Sequence, residues 1–563
     1  MNDSKRTLKD SAAIRWLMLV LVSSLMFSTY YFQDFFSPLR ELMETDLGIN
    51  SEEFGRVIGL TTIANMFGMI IVGGIILDKW GIRLAGLAFG GLATLGGVIT
   101  ALASMGVFGD DKSSVLTGLI IGRILYGSGL EVVCVVVTRT IVKWFKGYEL
   151  ALAMAINMGF GRLGSALAIA ISLDIAGVSV SPAVVFAAAL IGVSLIFFVV
   201  YMFFDIKMDK QVKAIKAAEL AQEEAALAAG AVQEKVEATD EDFKFSDLVK
   251  LATNKSFIYI ALLCVAFYSA VFPFIQYAPD LLVNKFGFSY VLPESATVVA
   301  FGSEALGSSL VFIVIFIFAL SVTLIPNNLR EKSAKRLSVI VIVGVFSIIV
   351  YLVRDTLGVW LVNGPKTASL IPLGTIIFTP IFGSYVDKKG KAASLMILGS
   401  LLLIFAHLSL SVFQSPMLAY FGLLSLGIAF SLVPAAMWPS VAKIVAENRL
   451  GTAYASMFTV QNWGLGAFFW GIGALLYKVN PAVVKAISDM RESLLAQGFT
   501  GGEVADKIKL LQIEGSLPYY DYTWPILMLV ACGVISIFLA FKLKQADKEQ
   551  GYGLELPSGE KPE

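Results

Sequence analysis

The chain has 563 residues, 57% of them hydrophobic and 15% charged, with a mean hydropathy of +0.78. Soluble domains carry about 25% charged residues, and here apolar runs of about 18 or more recur throughout, so composition excludes a soluble globular enzyme and points to a polytopic helical membrane protein. Acidic and basic residues balance, with no basic surplus for nucleic acid, and the three cysteines (Cys134, Cys264, Cys532) sit in apolar runs without disulfide or metal-ligand spacing.

The first part of the chain reads as six spans at 15–37, 54–77, 82–104, 114–138, 148–173 and 182–204. The short polar tail before them lacks a small-residue cleavage site and reads as the start of a retained first helix. A polar stretch rich in Ala, Glu and Lys follows at 205–255, a solvated and partly helical linker between two halves. Eight spans come next, at 256–279, 305–325, 337–354, 367–387, 392–412, 417–440, 451–477 and 523–542. The expected division is therefore a six-helix bundle over 1–204, a linker, a second bundle over 256–545 and a tail at 546–563. The second bundle carries a two-span insertion at about 291–366 and a long loop at 478–522. Fourteen spans is the expected total, with twelve if the inserted pair is peripheral.

Basic residues set the expected orientation. Lys5, Arg6 and Lys9, then Lys79 and Arg83, Arg139, Lys143 and Lys146, and Lys388, Lys389 and Lys391 all fall on alternate loops. The opposite loops are acidic or mixed, so the positive-inside bias places both termini in the cytoplasm and 478–522 outside.

Two charges stand out inside the spans. Glu131 and Arg162 flank the basic turn Lys143–Gly147 and lie equally far from it, about 22–24 Å along regular helices. They are expected to share one depth near mid-membrane, where a lone charge costs about 2.5–3.5 kcal/mol and faces a partner or a wet cavity. An Arg fork suits a carboxylate and a Glu accepts from an ammonium, which is recognition of a zwitterion. The alternative is an ion pair that ties two helices together and meets no ligand.

A repeat appears in the loops. Gly74-Ile75-Ile76-Leu77-Asp78-Lys79-Trp80-Gly81 and Gly383-Ser384-Tyr385-Val386-Asp387-Lys388-Lys389-Gly390 both read G-x-x-x-D-K-x-G. Two related halves in one orientation are the parallel-repeat plan of a rocking transporter.

With these loops and the Arg123-x-x-x-Gly127-x-Gly129 pattern of the fourth span, the chain resembles the major facilitator superfamily. Further motifs resemble its lysosomal dipeptide transporter branch: Gly122-Arg123 through Glu131, Trp144-Phe145-Lys146-Gly147, Arg162-Leu163-Gly164-Ser165, Ala270–Ile275, Lys285–Ser289, Trp438-Pro439, Leu450–Tyr454 and Gln461-Asn462. The pair at 305–354 and the loop 478–522 depart from that branch's pattern. The tail carries no acidic dileucine sorting signal, and the expected address is a prokaryotic plasma membrane. The resemblance implies two pseudo-symmetric six-helix bundles, here with two extra spans, that work by alternating access. It implies dipeptide recognition by Glu131 and Arg162 and facilitated uniport, while Glu131 as carrier of a coupled proton stays open. It further implies a cytoplasmic gate at Asp78, Lys79, Arg83, Asp387 and Lys388, with Arg123 in the gate or supporting the cavity.

The remaining candidates are polar or aromatic residues within spans. Asn157, Gln461 and Asn462 can each bond both groups of a peptide, or simply join helices. Tyr30, Tyr31, Tyr268, Phe272 and Trp438 can wall a cavity, or serve as packing and interface anchors. Asp34 and His407 are options for handling protons, although both fall near span ends, where polar residues are ordinary. Pro273 is a candidate kink. No P-loop and no nucleophile–base spacing appears, so neither an ATP-driven pump nor an enzyme is expected, and no cofactor. The expected partners are a small solute and the lipid bilayer. Two other readings remain: a nitrate or organic-anion porter, which Glu131 disfavours, and a transport-inactive scaffold with 291–366 and 478–522 as docking surfaces.

Overall fold

The computed structural model describes residues 7–228, 251–445 and 449–557. Long helices account for nearly all of it. In the first half these are α1 (Ala12–Asp34), α2 (Ser51–Gly59), α3 (Met69–Ser104), α4 (Lys112–Phe145), α5 (Leu150–Ala176) and α6 (Val180–Ala228). In the second they are α7 (Lys255–Phe286), α8 (Glu304–Asn328), α9 (Lys332–Leu352), α10 (Leu370–Lys389), α11 (Ala392–Ser411), α12 (Pro416–Ile444), α13 (Leu450–Val479), α14 (Pro481–Ala496), α15 (Gly501–Ile513) and α16 (Thr523–Gln550).

Among the described residues twelve helices are long and apolar enough to cross a membrane, or thirteen if the bent pair α13–α14 counts as one span, against the fourteen expected. The protein is integral to a membrane. The shortfall comes from the second expected span, 54–77, which is not one helix. α2 ends at Gly59, a 3-10 turn covers Leu60–Thr62, a single helical turn covers Ile63–Met66, and Gly68 takes φ +83° before α3 starts. The Thr62 hydroxyl donates to the Gly59 carbonyl at 2.9 Å, a local bond that competes with the helical ladder. α3 then runs on through Gly81, whose φ of 74° turns the chain between what the sequence reads as spans two and three.

The linker begins as a continuation of α6, helical to Ala228; residues 229–250 lie outside the described residues. The inserted pair forms, but sits at the edge. α8 packs on α5 and α10, with Phe316 edge-on to Phe160 at 5.8 Å. α9 touches mainly α8 and buries none of its residues. The insertion starts and ends side by side, where Ser289 bridges to Asn363. Loop 478–522 is not irregular: it folds into α14 and α15, which cover one end of the molecule. Pro273 and Pro279 lie within the continuous helix α7.

The halves meet along two seams, α2 on α13 and α5 against α8 and α10. At the first, Gly55 and Gly473 let backbones touch: a Cβ on Gly473 would stand 2.2 Å from the Ser51 carbonyl oxygen, and one on Gly55 2.8 Å from that of Phe469. Small residues that allow close backbone approach are the usual means of packing helices in lipid.

Candidate functional site

The two ends of the molecule differ in how the halves are joined. At the end carrying 40–50 and 478–522, here the loop face, buried charges cross between halves. Arg40 Nε donates to Asp280 Oδ2 at 2.6 Å while its Nη1 donates to Glu44 at 3.0 Å, and the three groups are at most 6% exposed. Tyr290 and Tyr522 both donate to Asp280, and Tyr520 donates to Glu44 at 2.6 Å. Arg491 of α14 donates to the carbonyls of Thr45 and Asp46, each at 3.0 Å. Lys366 reaches across to Asp174 at 2.5 Å and the Ala170 carbonyl at 2.7 Å.

At the opposite end, the tail face, these ion pairs among the described residues each stay within one half. Arg15 pairs with Glu149, Asp78 with Arg139, and Arg83 and Lys143 both with Asp205 and Asp209. Lys544 pairs with Glu555 in the other half. The expected gate residues divide accordingly. Asp78, Lys79, Asp387 and Lys388 are exposed on this face, and Asp78 is bound within its own half. Arg83 is committed to α6. Arg123 is not at this end at all. It is wholly buried, giving Nε to Thr61 Oγ1 at 3.0 Å, Nη1 to the Phe32 carbonyl at 2.7 Å and Nη2 to that of Gln33 at 3.3 Å. It braces the break in span two against α1.

Between the halves lies a cavity of about 260 Å³. Glu131 of α4 and Arg162 of α5 both line it. Among the described residues no ion pair joins them. Asn462 of the second half lines the cavity with Glu131, its Nδ2 donating to the Phe458 carbonyl at 2.9 Å, and the Arg162 guanidinium lies 4.4 Å from the ring centroid of Phe430, also of the second half. The helix-tying ion pair is therefore not present in this conformation. The second half contributes an aromatic wall: Trp438 Nε1 donates to Tyr268 Oη at 3.0 Å, Tyr268 stacks on Phe272 at 5.4 Å, and Trp438 stacks on Phe458 at 4.9 Å. Gln461 lines the cavity while accepting from Cys264 Sγ at 3.3 Å.

The structure brings together Tyr30, Glu131, Arg162, Tyr268, Phe272, Trp438, Gln461 and Asn462 around this space. Tyr31 and Asn157 are not among its lining residues. Tyr31 Oη meets Ser172 Oγ at 3.1 Å and packs edge-on against Phe186, and Asn157 accepts from Ser23 at 2.9 Å, so both join α1 to neighbouring helices. His407 is fully buried beside Phe274, with Nδ1 2.9 Å from the Leu403 carbonyl, and is likewise not a lining residue. Asp34, expected as an ordinary span-end residue, lines the cavity and accepts from Gln276 of the second half at 2.6 Å.

Sequence reading missed Gln33, Thr61, Thr62 and Asn65, which line the cavity beside these. The last three come from the break in span two. A cluster of polar residues between Gly59 and Gly68 was the signal available.

The family comparison matches residues 17–374 to the Major Facilitator Superfamily. Among curated proteins, the chain is 24% identical to the lysosomal dipeptide transporter MFSD1 of Danio rerio over 82% of this chain and 80% of the relative, and 25% identical to that of Mus musculus over the same shares. Solved structures share the fold at low identity. A form of the nucleoside transporter NupG superposes with a TM-score of 0.54 at 12% identity, covering 94% of this chain and 99% of that one. A bacterial homolog of the human lysosomal transporter Spinster gives 0.54 at 11%, covering 96% and 98%. The xylose transporter XylE from E. coli gives 0.51 at 14%, covering 82% and 89%. A family match over more than half of the residues, on a chain folded as two facing bundles, identifies this protein as a member of the Major Facilitator Superfamily.

Proposed function

We propose that the protein is a secondary transporter for a small zwitterionic or anionic solute, a dipeptide above all, working by alternating access. The observation that carries this reading is that Glu131 and Arg162 line one cavity without pairing to each other. Opposite charges held apart at mid-membrane are expensive unless something bridges them. A solute with an ammonium at one end and a carboxylate at the other does so, with Arg162 as the carboxylate fork and Glu131 as the ammonium acceptor. The name of the curated relatives, dipeptide transporters, supports the same cargo class, and a cavity of about 260 Å³ suits a small one, since ligand pockets run to roughly 300–1,000 Å³. Gln461, Asn462, Tyr268, Trp438 and Tyr30 complete the contact surface.

The conformation is one with the loop face latched across the halves, while among the described residues the tail-face ion pairs named above each join residues of one half. With the basic loops cytoplasmic, as the positive-inside bias supports, it is the inward-facing state. In the outward-facing state Asp78 and Asp387 gate the cytoplasmic end. Only a difference in cargo affinity between the two states shifts their balance.

Purified protein screened by thermal shift against dipeptides, free amino acids and inorganic anions, followed by uptake into proteoliposomes, tests the reading. Dipeptides are expected to raise the melting temperature of the wild type and not of Arg162→Ala. Equal stabilisation of both proteins, or stabilisation by nitrate alone, overturns it. Uptake with and without an imposed proton gradient separates uniport from coupling through Glu131.

A further inference from the structure

The cavity holds two buried acceptors that the reading above does not use. Asn65 is 2% exposed, and its Nδ2 donates to the Gly127 carbonyl at 3.1 Å, but its Oδ1 has no hydrogen-bond partner among the described residues. Gln33 Oε1 is buried and has none either. Both residues line the cavity. A buried carbonyl oxygen left without a donor costs about 1–3 kcal/mol, and such groups in native proteins call for a reason.

Their placement supplies one. Gly127 and Glu131 are one helical turn apart on α4, so the bond from Asn65 to Gly127 ties its amide to the helix that carries Glu131, and both side chains line the cavity. Asn65 stands there only because span two is broken. The single turn Ile63–Met66 is offset from α2 by the 3-10 turn, and the Met66 carbonyl, freed where Gly68 interrupts the ladder, is satisfied from the other half by Trp463 Nε1 at 2.7 Å. The offset turn is fixed by Arg123 at Thr61 on one side and by Trp463 on the other. Gln33 is fixed nearby, its own carbonyl accepting from Arg123. Two unpartnered acceptors therefore line the same cavity as Glu131, where a group rich in N–H donors would satisfy them.

We infer that Asn65 and Gln33 are specificity-determining residues whose carbonyl oxygens read the free ammonium of the cargo beside Glu131, selecting solutes with an unblocked amino group. An ammonium carries three donors and no acceptor. Glu131, Asn65 and Gln33 offer it a matching set, whereas an N-acetylated solute brings one N–H and a carbonyl oxygen that meets only other acceptors. The inference rests on the zwitterion reading of the same cavity.

The test compares binding of Ala-Ala and N-acetyl-Ala-Ala to the full-length wild type, Gln33→Met, Asn65→Leu and Arg162→Ala. Gln33→Met preserves length and apolar volume and removes one orphaned oxygen, so it is the variant most certain to fold. The wild type is expected to favour Ala-Ala by at least tenfold. Each of Gln33→Met and Asn65→Leu is expected to weaken Ala-Ala about tenfold, a hydrogen bond to a charged group, while leaving N-acetyl-Ala-Ala nearly unchanged, so that the preference shrinks. A loss confined to packing would weaken both peptides alike. If Arg162→Ala abolishes Ala-Ala binding yet Gln33→Met and Asn65→Leu keep the wild-type preference, the inference is wrong and the zwitterion reading stands. If Arg162→Ala binds Ala-Ala as the wild type does, both are wrong.

Discussion

The two halves of this transporter face one cavity with different chemistry. The first supplies the charges: Glu131, Arg162 and Asp34 line the space, and Arg123 braces its wall. The second supplies amides and rings: Gln461, Asn462, Tyr268, Phe272, Trp438 and Phe458. Each first-half charge there faces neutral groups of the second: Arg162 meets the Phe430 ring, Asp34 accepts from Gln276, and Glu131 shares the cavity wall with Asn462. This difference lets the halves separate without stranding an ion-pair partner, because an amide or a ring can be exposed to water at little cost, unlike a buried charge that loses its counter-ion. The loop face follows the opposite rule, with Arg40 and Asp280 paired across the seam at 1% exposure each. The cavity is built to open and the loop face to lock.

Substitutions that invert this contrast rank by expected effect. Arg40→Ala strands Asp280 in a buried site, so the loop-closed state should lose about 3–5 kcal/mol. Calorimetry should show a lower melting temperature, and cysteine labelling from the loop side should show increased access; an unchanged protein would mean the pair does not lock the seam. Arg162→Ala should weaken dipeptide binding by about 100-fold or more, two charge-assisted bonds at roughly 1.5–3 kcal/mol each, with little change in fold because its one ring contact is worth about 0.5–2 kcal/mol. Tyr268→Phe removes the acceptor for Trp438 and should raise the KM for uptake by about two- to tenfold, one neutral hydrogen bond of about 0.5–1.5 kcal/mol. Asp78→Asn breaks an exposed pair worth about 0–1 kcal/mol, so stability should not move. A slower transport rate at unchanged affinity would place Asp78 in the gate of the alternate state, and an unchanged rate would leave it a surface pair.

Much of the architecture was legible because lipid allows few choices: a span must be a helix about 20 residues long, and hydropathy marks nearly all of them. The break in span two was not, because Thr61 and Thr62 barely lower the average of an apolar run and one glycine at 68 does not by itself end a helix. That single miss hid Thr61, Thr62 and Asn65 from the site. The charge pair was found by its cost alone. Its neighbours were harder, since a span shows which residues are polar and not which way they face. Tyr30 and Tyr31 are about 100° apart around α1, so only Tyr30 lines the cavity. Asn157 lies five residues from Arg162, about 140° around α5, and so meets Ser23. The Arg40–Asp280 lock was illegible because its members are far apart in sequence, and because loop 478–522, which brings Tyr520 and Tyr522 to it, reads as a polar insertion.

Arg162→Lys probes the central claim most directly, because it keeps the charge and removes the planar fork. A thermal-shift titration with Ala-Ala on wild type and Arg162→Lys, both first shown to melt at similar temperatures without ligand, is predicted to give dipeptide stabilisation in the wild type and loss of most of it in the variant. Equal dipeptide stabilisation of the two proteins would contradict recognition of a carboxylate by Arg162.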